Sequence, residues 1–498
     1  MRIDAENIAM TLCAAALAAV AIEKPKAVAP VSCEVDPAAV RFEWTAIGDA
    51  ASYTLIAAPS PDFAPMYTKT VEAGLATSAK AFGLWPDAEY CWRVIAKGTN
   101  GTALAKSFPA YFRTAPSPTV PPDCRYADDI PLVDISGDTS RQRILADGTL
   151  TRYMGHAYTI MAPDRKTVWA MFTSGADHAV ADTGPLARTT DGGRTWLRFD
   201  ERLPVDFRAT HHGSPIIRSL RKPDGSFRYV VFTRDAKNGG RLQVTYSDDL
   251  GESWQYAPTT SIKVGMGPTG FIGLKNGKSA LFGQTPGKNE KVGIWMSVTP
   301  DCGETWPVPR IVVPPVKGKY FCEPFCIRSP DGAKLALILR EQTHTGRSMV
   351  SFSSDEGETW TTPVDTPWGL TGDRHEGTLL GDGRLFIAFR DRVIGSSTAG
   401  QYVGWVGTWD DLENCRPGQY RVKLLRHFRD NRRWWSWYDC GYGGVHELAD
   451  GTILCTTYLK NAPDERRHSV MSTRFKISET DALWAKMKAK EKRQTKGD

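Results

Sequence analysis

Carboxylates, arginines and a tyrosine that could do chemistry occur in four segments, well separated along the 498-residue sequence. The segments are Ser174–Pro185, Glu323–Arg340, Arg374–Arg390 and Gly441–Tyr442. An arginine guanidinium binds a carboxylate through two parallel hydrogen bonds, and several arginines in one dry pocket bind it strongly. A tyrosine phenol has a pKa of about 10, so it acts as a nucleophile only beside a base. These residue types predict acid–base or nucleophilic chemistry on an anionic substrate.

An eight-residue turn recurs through the same part of the chain. It reads Ser/Thr-x-Asp-x-Gly-x-Ser/Thr-Trp, and its aspartates (Asp191, Asp249, Asp301 and Asp355) are 58, 52 and 54 residues apart. The aspartate can accept hydrogen bonds from the turn amides, the glycine adopts a positive φ, and the tryptophan buries a large ring. A degenerate copy stands at Gly407–Asp410. The repeat predicts a structure assembled from similar units.

The spacing of about 55 residues suits one four-stranded blade of a β-propeller. Residues 130–477 contain about six such periods, so we expect six blades, with seven as the alternative. The inner strands of a propeller point their ends at a central pocket. The four segments are therefore expected to meet there, although they are far apart in sequence.

The repeated turn resembles the Asp box of the sialidase superfamily, which lies on the outer rim of a propeller. Four good copies carry the resemblance. It implies an all-β fold, a six-bladed sialidase-like β-propeller, with exo-sialidase as the activity. Asp boxes also occur in proteins that are not enzymes, so the boxes themselves are interpreted as structural.

The resemblance also implies roles for single residues. Asp177 lies 12 residues before the first box, near the position of the family's acid/base, with Asp182 as the alternative. Glu323 would polarise the nucleophile, and Arg340 would hold the substrate carboxylate. Tyr442 precedes an Asp-Gly turn, as the nucleophilic tyrosine of the family does.

Further arginines extend the predicted carboxylate clamp. Arg390 ends a strand as Arg340 does, and it or Arg374 is expected to bind the carboxylate as well. The alternatives kept open for the catalytic and binding positions are Arg392, Glu376, Tyr438 and Asp439.

One departure from the family concerns the first arginine of its clamp, which belongs to an Arg-Ile-Pro run. The equivalent stretch of this chain places His156 at that position. Arg152 or Arg208 would have to replace the missing arginine. His212, beside His211, is expected to line the pocket. The chain is therefore interpreted as a divergent member, and an inverting mechanism stays an alternative.

The flanking regions have their own signatures. Residues 29–116 alternate apolar and polar positions and resemble a fibronectin type III β-sandwich, in which Cys33 and Cys91 could pair. Residues 117–129 are proline-rich and predict a stiff linker. Residues 478–498 form a basic C-terminal tail, expected to be a short helix followed by disorder.

An apolar run at Ile8–Ile22 has the length of a signal-peptide core. Residues 1–28 are accordingly interpreted as a signal peptide and spacer, and a secreted or periplasmic location is expected. No other stretch is apolar enough for a membrane span. The net charge of +6 is mild, and the sequence lacks the clustered basic residues of a nucleic-acid-binding surface. Neither a metal motif nor a nucleotide loop is visible, so no metal and no cofactor are expected.

These observations predict a secreted exo-sialidase that releases terminal sialic acid from sialylated or other acidic glycans. Two alternatives stay open. One is a propeller glycosidase or lyase that acts on a uronic-acid polysaccharide. The other is a propeller that binds glycans without catalysis.

Overall fold

A computed structural model describes residues 23–494 with short gaps, at residues 37–38, 59–62, 64–67, 83, 85–88, 116–129, 179–180, 236–238, 345, 394–395, 429–438 and 463–465. The chain forms two compact units, Met1–Pro116 and Ser117–Asp498. The predicted signal-peptide core and linker, and Tyr438, lie outside the described residues. No helix in the described ranges is both long and apolar enough to cross a membrane.

The first unit is a β-sandwich of two sheets. One sheet contains Ala27–Ala29, Ala39–Trp44 and Ser78–Phe82; the other contains Glu34–Val35, Ser52–Ala58, Lys69–Gly74, Glu89–Lys97, Ala103–Lys106 and Ala110–Thr114. Phe42 of the first sheet packs edge-on against Trp92 and Phe112 of the second, with ring centroids 5.1 and 5.6 Å apart. These aromatic contacts bury the facing sides of both sheets.

The predicted pairing of Cys33 with Cys91 is wrong, because both are free thiols. Cys33 is exposed, whereas Cys91 is buried on a central strand. The Cys91 thiol donates to the carbonyl of Ala58 at 3.4 Å. The sandwich core therefore holds this cysteine as a small apolar side chain.

The second unit consists of antiparallel meanders, which we label A to F in chain order. Their strands are Tyr153–Met161, Val168–Gly175, Ala181–Thr189 and Leu197–Arg198 (A); His212–Arg221, Phe227–Asp235, Arg241–Ser247 and Gln255–Tyr256 (B); Gly270–Gly273, Ser279–Gln284, Ile294–Thr299 and Arg310–Val313 (C); Phe321–Arg328, Leu335–Glu341, Met349–Ser353 and Val364–Asp365 (D); Gly372–Leu379, Leu385–Asp391, Tyr402–Gly407 and Tyr420–Leu425 (E); Gly443–Glu447, Thr452–Leu459 and Ser469–Lys476 (F). The prediction of an all-β protein is confirmed.

The first strands of the meanders form a closed ring. Each contacts the first strand of the next meander, and that of meander F contacts that of meander A. This is the arrangement of a β-propeller. Two strands from the start of the unit complete the later sheets: Leu132–Asp134 pairs with the last strand of meander E, and Gln142–Ala146 pairs with the last strand of meander F. The ring is thus closed by strands from both ends of the unit.

The four repeated turns share one hydrogen-bonded form. In the first, Asp191 accepts bonds from the amides of Arg194 and Thr195, both at 2.9 Å, and from the Thr189 hydroxyl at 2.7 Å. The Thr189 oxygen in turn accepts the Gly193 amide at 2.9 Å. Burial opposes ionisation of Asp191, but these bonds lower its pKa to about 2. The aspartates of the other three turns accept the matching amide bonds.

Each turn also packs against the preceding meander. Trp306 lies edge-on against Phe232 of meander B at 5.2 Å, and Trp360 lies against Phe282 of meander C at 5.7 Å. Gly251 adopts φ +92°, and a Cβ there would lie 2.7 Å from the ring of Trp169 in meander A. The repeated turns therefore fasten neighbouring sheets to each other at the outer edge.

The degenerate fifth copy has a different backbone. Thr408 caps a short helix, Trp409–Glu413, and its hydroxyl oxygen accepts the Asp411 amide at 3.1 Å. Trp409 nevertheless packs edge-on against Phe352 of meander D at 5.9 Å. The contact with the preceding sheet is kept although the turn is replaced by a capped helix.

The last element of the described residues is a helix, Ile477–Gln494, in the segment for which the sequence suggested a short helix followed by disorder; residues 495–498 lie outside the described residues. Asp481 anchors it by accepting two bonds from Arg384, both at 2.9 Å, and one from the Tyr420 hydroxyl at 2.7 Å. Trp484 packs against the same tyrosine ring at 5.3 Å. Single-turn helices elsewhere in the unit are Thr139–Arg141, Asp200–Arg202, Phe207–Thr210, Asn289–Lys291 and Trp368–Leu370.

The packing of the repeated turns predicts unequal effects of two glycine substitutions. Gly251 and Gly225 have similar φ values, +92° and +85°, but a Cβ would meet Trp169 only at Gly251. The left-handed backbone costs any L side chain about 1–2 kcal/mol, and overpacking adds about 1–3 kcal/mol. We expect Gly251→Ala to lower the free energy of unfolding in urea clearly more than Gly225→Ala. Equal losses would contradict this account of the turn.

Candidate active site

Backbone bulges in the first strands of four meanders create the site. Strand pairing shifts register at His156 in meander A, at Gly213 in B, at Glu323 in D and at Arg374 in E. All four residues have positive φ, at +43°, +83°, +46° and +61° respectively. A left-handed non-glycine residue is strained, and such strain concentrates at functional sites. The bulges re-aim side chains that regular pleating would direct elsewhere.

Tyr442 and Glu323 form the central pair of the site. The Tyr442 hydroxyl donates to Glu323 Oε1 at 2.7 Å, and the two residues are 8% and 5% exposed. Burial raises the pKa of Tyr442, and the charge of Glu323 raises it further, while nearby arginines oppose the shift. The phenol is therefore neutral at neutral pH, and it is bonded to a carboxylate that can accept its proton.

Arg340 connects Glu323 to a second buried carboxylate. It donates to Glu323 Oε2, and its Nε lies 2.9 Å from Asp373 Oδ1. Arg390 donates to the other oxygen of Asp373 at 2.8 Å. His344 Nε2 also lies 2.8 Å from Asp373 Oδ1. One aspartate thus binds three basic side chains.

Asp373 is fully buried, with no exposed surface. Burial alone would raise the pKa of Asp373, but Arg340, His344 and Arg390 hold it well below its usual range. Asp373 is therefore ionised, and the buried arginines are compensated by an opposite charge.

Arg374 lies against two aromatic rings rather than in a tight ion pair. Its guanidinium is 4.4 Å from the ring centroid of Tyr442 and 4.9 Å from that of Tyr158, whose hydroxyl it also contacts. Its Nε is 4.0 Å from Glu323 Oε2. Burial lowers the pKa of Arg374 from its usual value. Cation–π contacts thereby stabilise the charge beside the Tyr442 phenol.

Two histidines adjoin the central pair. The His156 ring is 4.8 Å from Tyr442 and 4.3 Å from His178, both edge-on. Burial lowers the pKa of His156 well below its usual value, and the neighbouring His178 lowers it further. His156 is thus a neutral imidazole at neutral pH, with Nδ1 3.2 Å from the Thr173 hydroxyl.

His178 is held by a third buried carboxylate, Asp439. His178 Nδ1 lies 2.9 Å from Asp439 Oδ1. The hydroxyls of Tyr458 and Tyr153 donate to Asp439 at 2.6 and 2.9 Å. Burial would raise the pKa of Asp439, but His178 and His468 hold it well below its usual range. Asp439 is therefore an ionised acceptor behind the site.

A cavity of about 220 Å³ opens beside these groups. Its lining includes Glu323, Tyr442, His156, His178 and His212, and further residues of meanders A, B and C that complete it are Tyr158, Gly213, Ser214, Ile216, Arg234, Gly265, Met266, Gly267 and Thr269. Two larger depressions, of about 560 and 410 Å³, lie elsewhere and are lined mainly by loop or sandwich residues. The 220 Å³ cavity contains the hydrogen-bonded pair of Tyr442 and Glu323, so it is the candidate active site.

Only some of the predicted site residues line the cavity. His156, His212, Glu323 and Tyr442 line the cavity. The predicted clamp residues Arg340, Arg374 and Arg390 surround the central pair but are not among the lining residues. Their role as a carboxylate clamp stays a prediction.

The acid/base candidates lie near the cavity. Asp177 is half-buried and directly precedes His178, but it is not a lining residue itself. Asp182 pairs through its backbone with Ser174 and with His212. The predicted roles of Asp177 and Asp182 remain predictions.

Other candidates have contacts away from the cavity. Arg208 is half-exposed and paired with Asp200 at 2.6 Å, and Arg152 is exposed; neither is among the residues that line the cavity. Glu376 forms an ion pair with Arg218 at 2.7 Å. Arg392 Nε is 3.7 Å from Asp373. His211 is buried between the rings of Phe207 and Tyr256, which is a packing role.

The sequence-based site predictions do not include Asp373, His178 or Arg234, which the structure places in or next to the site. They include Asp439 only as an alternative. His178 stands beside Asp177, in the segment that sequence reasoning had selected. Nothing in the local sequence distinguishes Arg234 from the other arginines at strand ends.

No protein-family model matches the sequence, and no curated protein matches it. A solved structure of a protein of unknown function from Dyadobacter fermentans aligns at 15% identity and TM-score 0.49, over 67% of this chain and 98% of that one. The NanB sialidase from Streptococcus pneumoniae aligns at 11% identity and TM-score 0.42, over 88% and 94%. An endo-arabinase from Bacteroides thetaiotaomicron aligns at 17% identity and TM-score 0.36, over 55% and 97%. All three TM-scores are below 0.5, so these similarities carry no argument about function. The functional argument therefore rests on the site.

The buried charge network predicts a large effect of Asp373→Asn. The substitution removes the negative charge that Arg340 and Arg390 share, and breaking a buried ion pair costs about 3–5 kcal/mol. The surface pair of Asp138 with Arg141 is the control, for which Asp138→Asn should cost less than about 1 kcal/mol. The measurement is the free energy of unfolding in urea. Similar small losses for both variants would contradict the assigned role of Asp373.

Proposed function

We propose that the second unit is a six-bladed propeller glycoside hydrolase, with Tyr442 as nucleophile and Glu323 as its base. The observation that carries this proposal is the 2.7 Å hydrogen bond between their side chains at the cavity wall. A weak nucleophile bonded to a base is what covalent catalysis requires. The closed ring of meanders A to F supports the six-bladed assignment.

Charge supports a sugar acid as the substrate. The effect of Glu323 on the Tyr442 phenol is opposed by the positive field of Arg340, Arg374 and Arg390. A substrate carboxylate next to the anomeric carbon would be attracted by this field, and it would repel a carboxylate nucleophile. A neutral tyrosine avoids that repulsion and is a known alternative to the two-carboxylate scheme. Terminal sialic acid, which has this arrangement, is the proposed substrate.

The proposed reaction has two displacements. In the first, the Tyr442 oxygen bonds to the anomeric carbon while the bond to the leaving oxygen breaks; the phenol proton passes to Glu323, and an acid protonates the leaving oxygen. In the second, water displaces Tyr442, which recovers its proton from Glu323, and the water's proton returns to the acid. Two inversions retain the anomeric configuration. Asp177 is the candidate for the acid that the sequence suggests.

Arg234 is the proposed contact for the substrate carboxylate within the cavity. It lies at the end of the second strand of meander B, is exposed and lines the cavity. Within the described ranges its guanidinium has no ion-pair partner, whereas Asp373 holds Arg340 and Arg390. An arginine that is not already paired can offer both of its parallel donors to a carboxylate.

The proposal includes the remaining sequence predictions. We propose that residues 1–28 direct export, that residues 117–129 are a linker, and that the sandwich is a fibronectin type III-like spacer. The division of the sandwich into a three-stranded sheet and a larger sheet supports the last of these. Acidic glycans are the proposed partners.

A second candidate function is a lyase acting on a uronic-acid polysaccharide. It is favoured by His156 in the cavity, since a neutral imidazole can remove the proton beside a uronate carboxylate. Its products would be unsaturated sugars, which absorb ultraviolet light. Sialosides would then not be turned over, and the uronate polymer would be.

The central pair predicts loss of turnover in two variants. Tyr442→Phe removes the nucleophilic oxygen and Glu323→Gln removes the base, so each should lower kcat about 100-fold or more on a sialoside with a chromogenic leaving group. Tyr402→Phe is the matched control, because Tyr402 is also buried but donates to the Thr456 carbonyl at 3.3 Å. Unchanged turnover in Tyr442→Phe would overturn the proposed function.

Arg234 predicts a separate effect on substrate binding. A charge-assisted hydrogen bond contributes about 1.5–3 kcal/mol, so Arg234→Ala should raise KM for the sialoside by roughly 10- to 100-fold. The exposed Arg241, on the next strand, is not a lining residue, and Arg241→Ala should leave KM unchanged. An unaltered KM in Arg234→Ala would exclude this contact.

A further inference from the structure

The acid that protonates the leaving oxygen must face the substrate, and the lining of the cavity bears on its identity. His178 lines the cavity, whereas the preceding Asp177 does not. His178 follows the second strand of meander A, which ends at Gly175. His178 is therefore better placed than Asp177 to protonate the leaving oxygen.

His178 and Tyr442 both adjoin the His156 ring. The His156 ring is 4.3 Å from His178 and 4.8 Å from Tyr442, and all three residues line the same cavity. A glycosidic bond bound beside His156 would thus have both the proposed nucleophile and His178 as neighbours. A displacement with acid assistance needs both groups next to the bond that breaks.

Asp439 determines which ring nitrogen of His178 donates a hydrogen bond to the carboxylate and which one is left for the substrate. An ionised carboxylate only accepts hydrogen bonds, and Asp439 lies 2.9 Å from Nδ1. Nδ1 therefore carries the donated proton, and Nε2 is the nitrogen that can exchange a proton with substrate. The hydroxyls of Tyr153 and Tyr458 fix the carboxylate from its other sides.

We propose that His178, positioned by Asp439, is the general acid and then the general base of the glycosidase reaction, in place of Asp177. The inference rests on the proposed function. In the first step the proton on Nε2 passes to the leaving oxygen as its bond to the anomeric carbon breaks and the bond to Tyr442 forms. In the second step Nε2 removes a proton from the attacking water as the bond to Tyr442 breaks.

The charges around His178 suit an acid that works near neutral pH. The neighbours that act on it are Asp439 and Asp177, which favour its protonated form, and Arg390, which opposes it; His156 beside it is neutral and Tyr153 bonds its ring. Burial lowers the pKa of His178, but Asp439 outweighs burial and the pKa is raised above 6.5. The acid form is lost as pH rises through that pKa, so His178 should produce the basic limb of the pH profile.

The test compares leaving groups in His178→Gln and Asp177→Asn. A poor leaving group, such as a sugar hydroxyl, needs acid assistance, whereas a nitrophenolate leaves without it. We expect His178→Gln to lose about 100-fold or more in kcat with the first substrate and far less with the second. Asp177→Asn should lose the same modest factor with both. A leaving-group effect in Asp177→Asn that is absent from His178→Gln would overturn the assignment.

A second readout reports on positioning by Asp439. In Asp439→Asn the charge that supports protonated His178 is lost, so the basic limb of the kcat/KM profile should move to lower pH. The NMR signal of the His178 imidazole can be assigned because it is missing from His178→Gln. In the parent protein it should titrate with a pKa above 6.5, and in Asp439→Asn with a lower pKa than in the parent. Titration of that signal below 6.5 in the parent would also overturn the assignment of His178.

Failure of the underlying function gives a different result. If the parent protein turned over neither substrate, or if Tyr442→Phe kept full activity, the glycosidase proposal itself would fall. If the parent were active and Tyr442→Phe inactive, with His178→Gln showing no preference for the better leaving group, only the role of His178 would be lost.

Discussion

The site depends on one electrostatic constraint: a charge removed from water needs an opposite charge beside it. Asp373 meets this need from a position with no exposed surface. It holds Arg340, which holds Glu323, which receives the hydroxyl of Tyr442. These contacts cross from meander E through D to the start of F. The orientation of Tyr442, the proposed nucleophile, is therefore set by a carboxylate that does not line the cavity.

A second constraint lies in the backbone. A regular strand alternates its side chains between two faces, so it cannot direct consecutive functional groups toward one pocket. The left-handed residues His156, Glu323 and Arg374 break that alternation at comparable places in three first strands. Their strain is offset by the surrounding ring of packed sheets. Rigid sheets thus supply the stability that the irregular positions use.

Much of the architecture could be predicted, because the residues that form the repeated turn are close together in sequence. An aspartate, a glycine and a tryptophan stand within eight residues. Glu323 and Tyr442 were found from short motifs for the same reason. The pairing of His178 with Asp439 joins segments that are far apart in sequence, and no local pattern records it. The same limit explains why Arg208 was selected and Arg234 was not. Both stand at the ends of elements, and only the fold decides which faces the cavity.

The closure of the ring has a consequence for the timing of assembly. The strand Gln142–Ala146, near the start of the second unit, belongs to the sheet of meander F. The strand with which it pairs lies more than 300 residues further along the chain. Tyr442 and Asp439 lie directly before that meander. A nascent chain can fold its early sheets on the ribosome, since each meander is local. Tyr442 and Asp439 arrive only with the last sheet, so a chain interrupted before it contains most of the fold but lacks the proposed nucleophile and the carboxylate that holds His178.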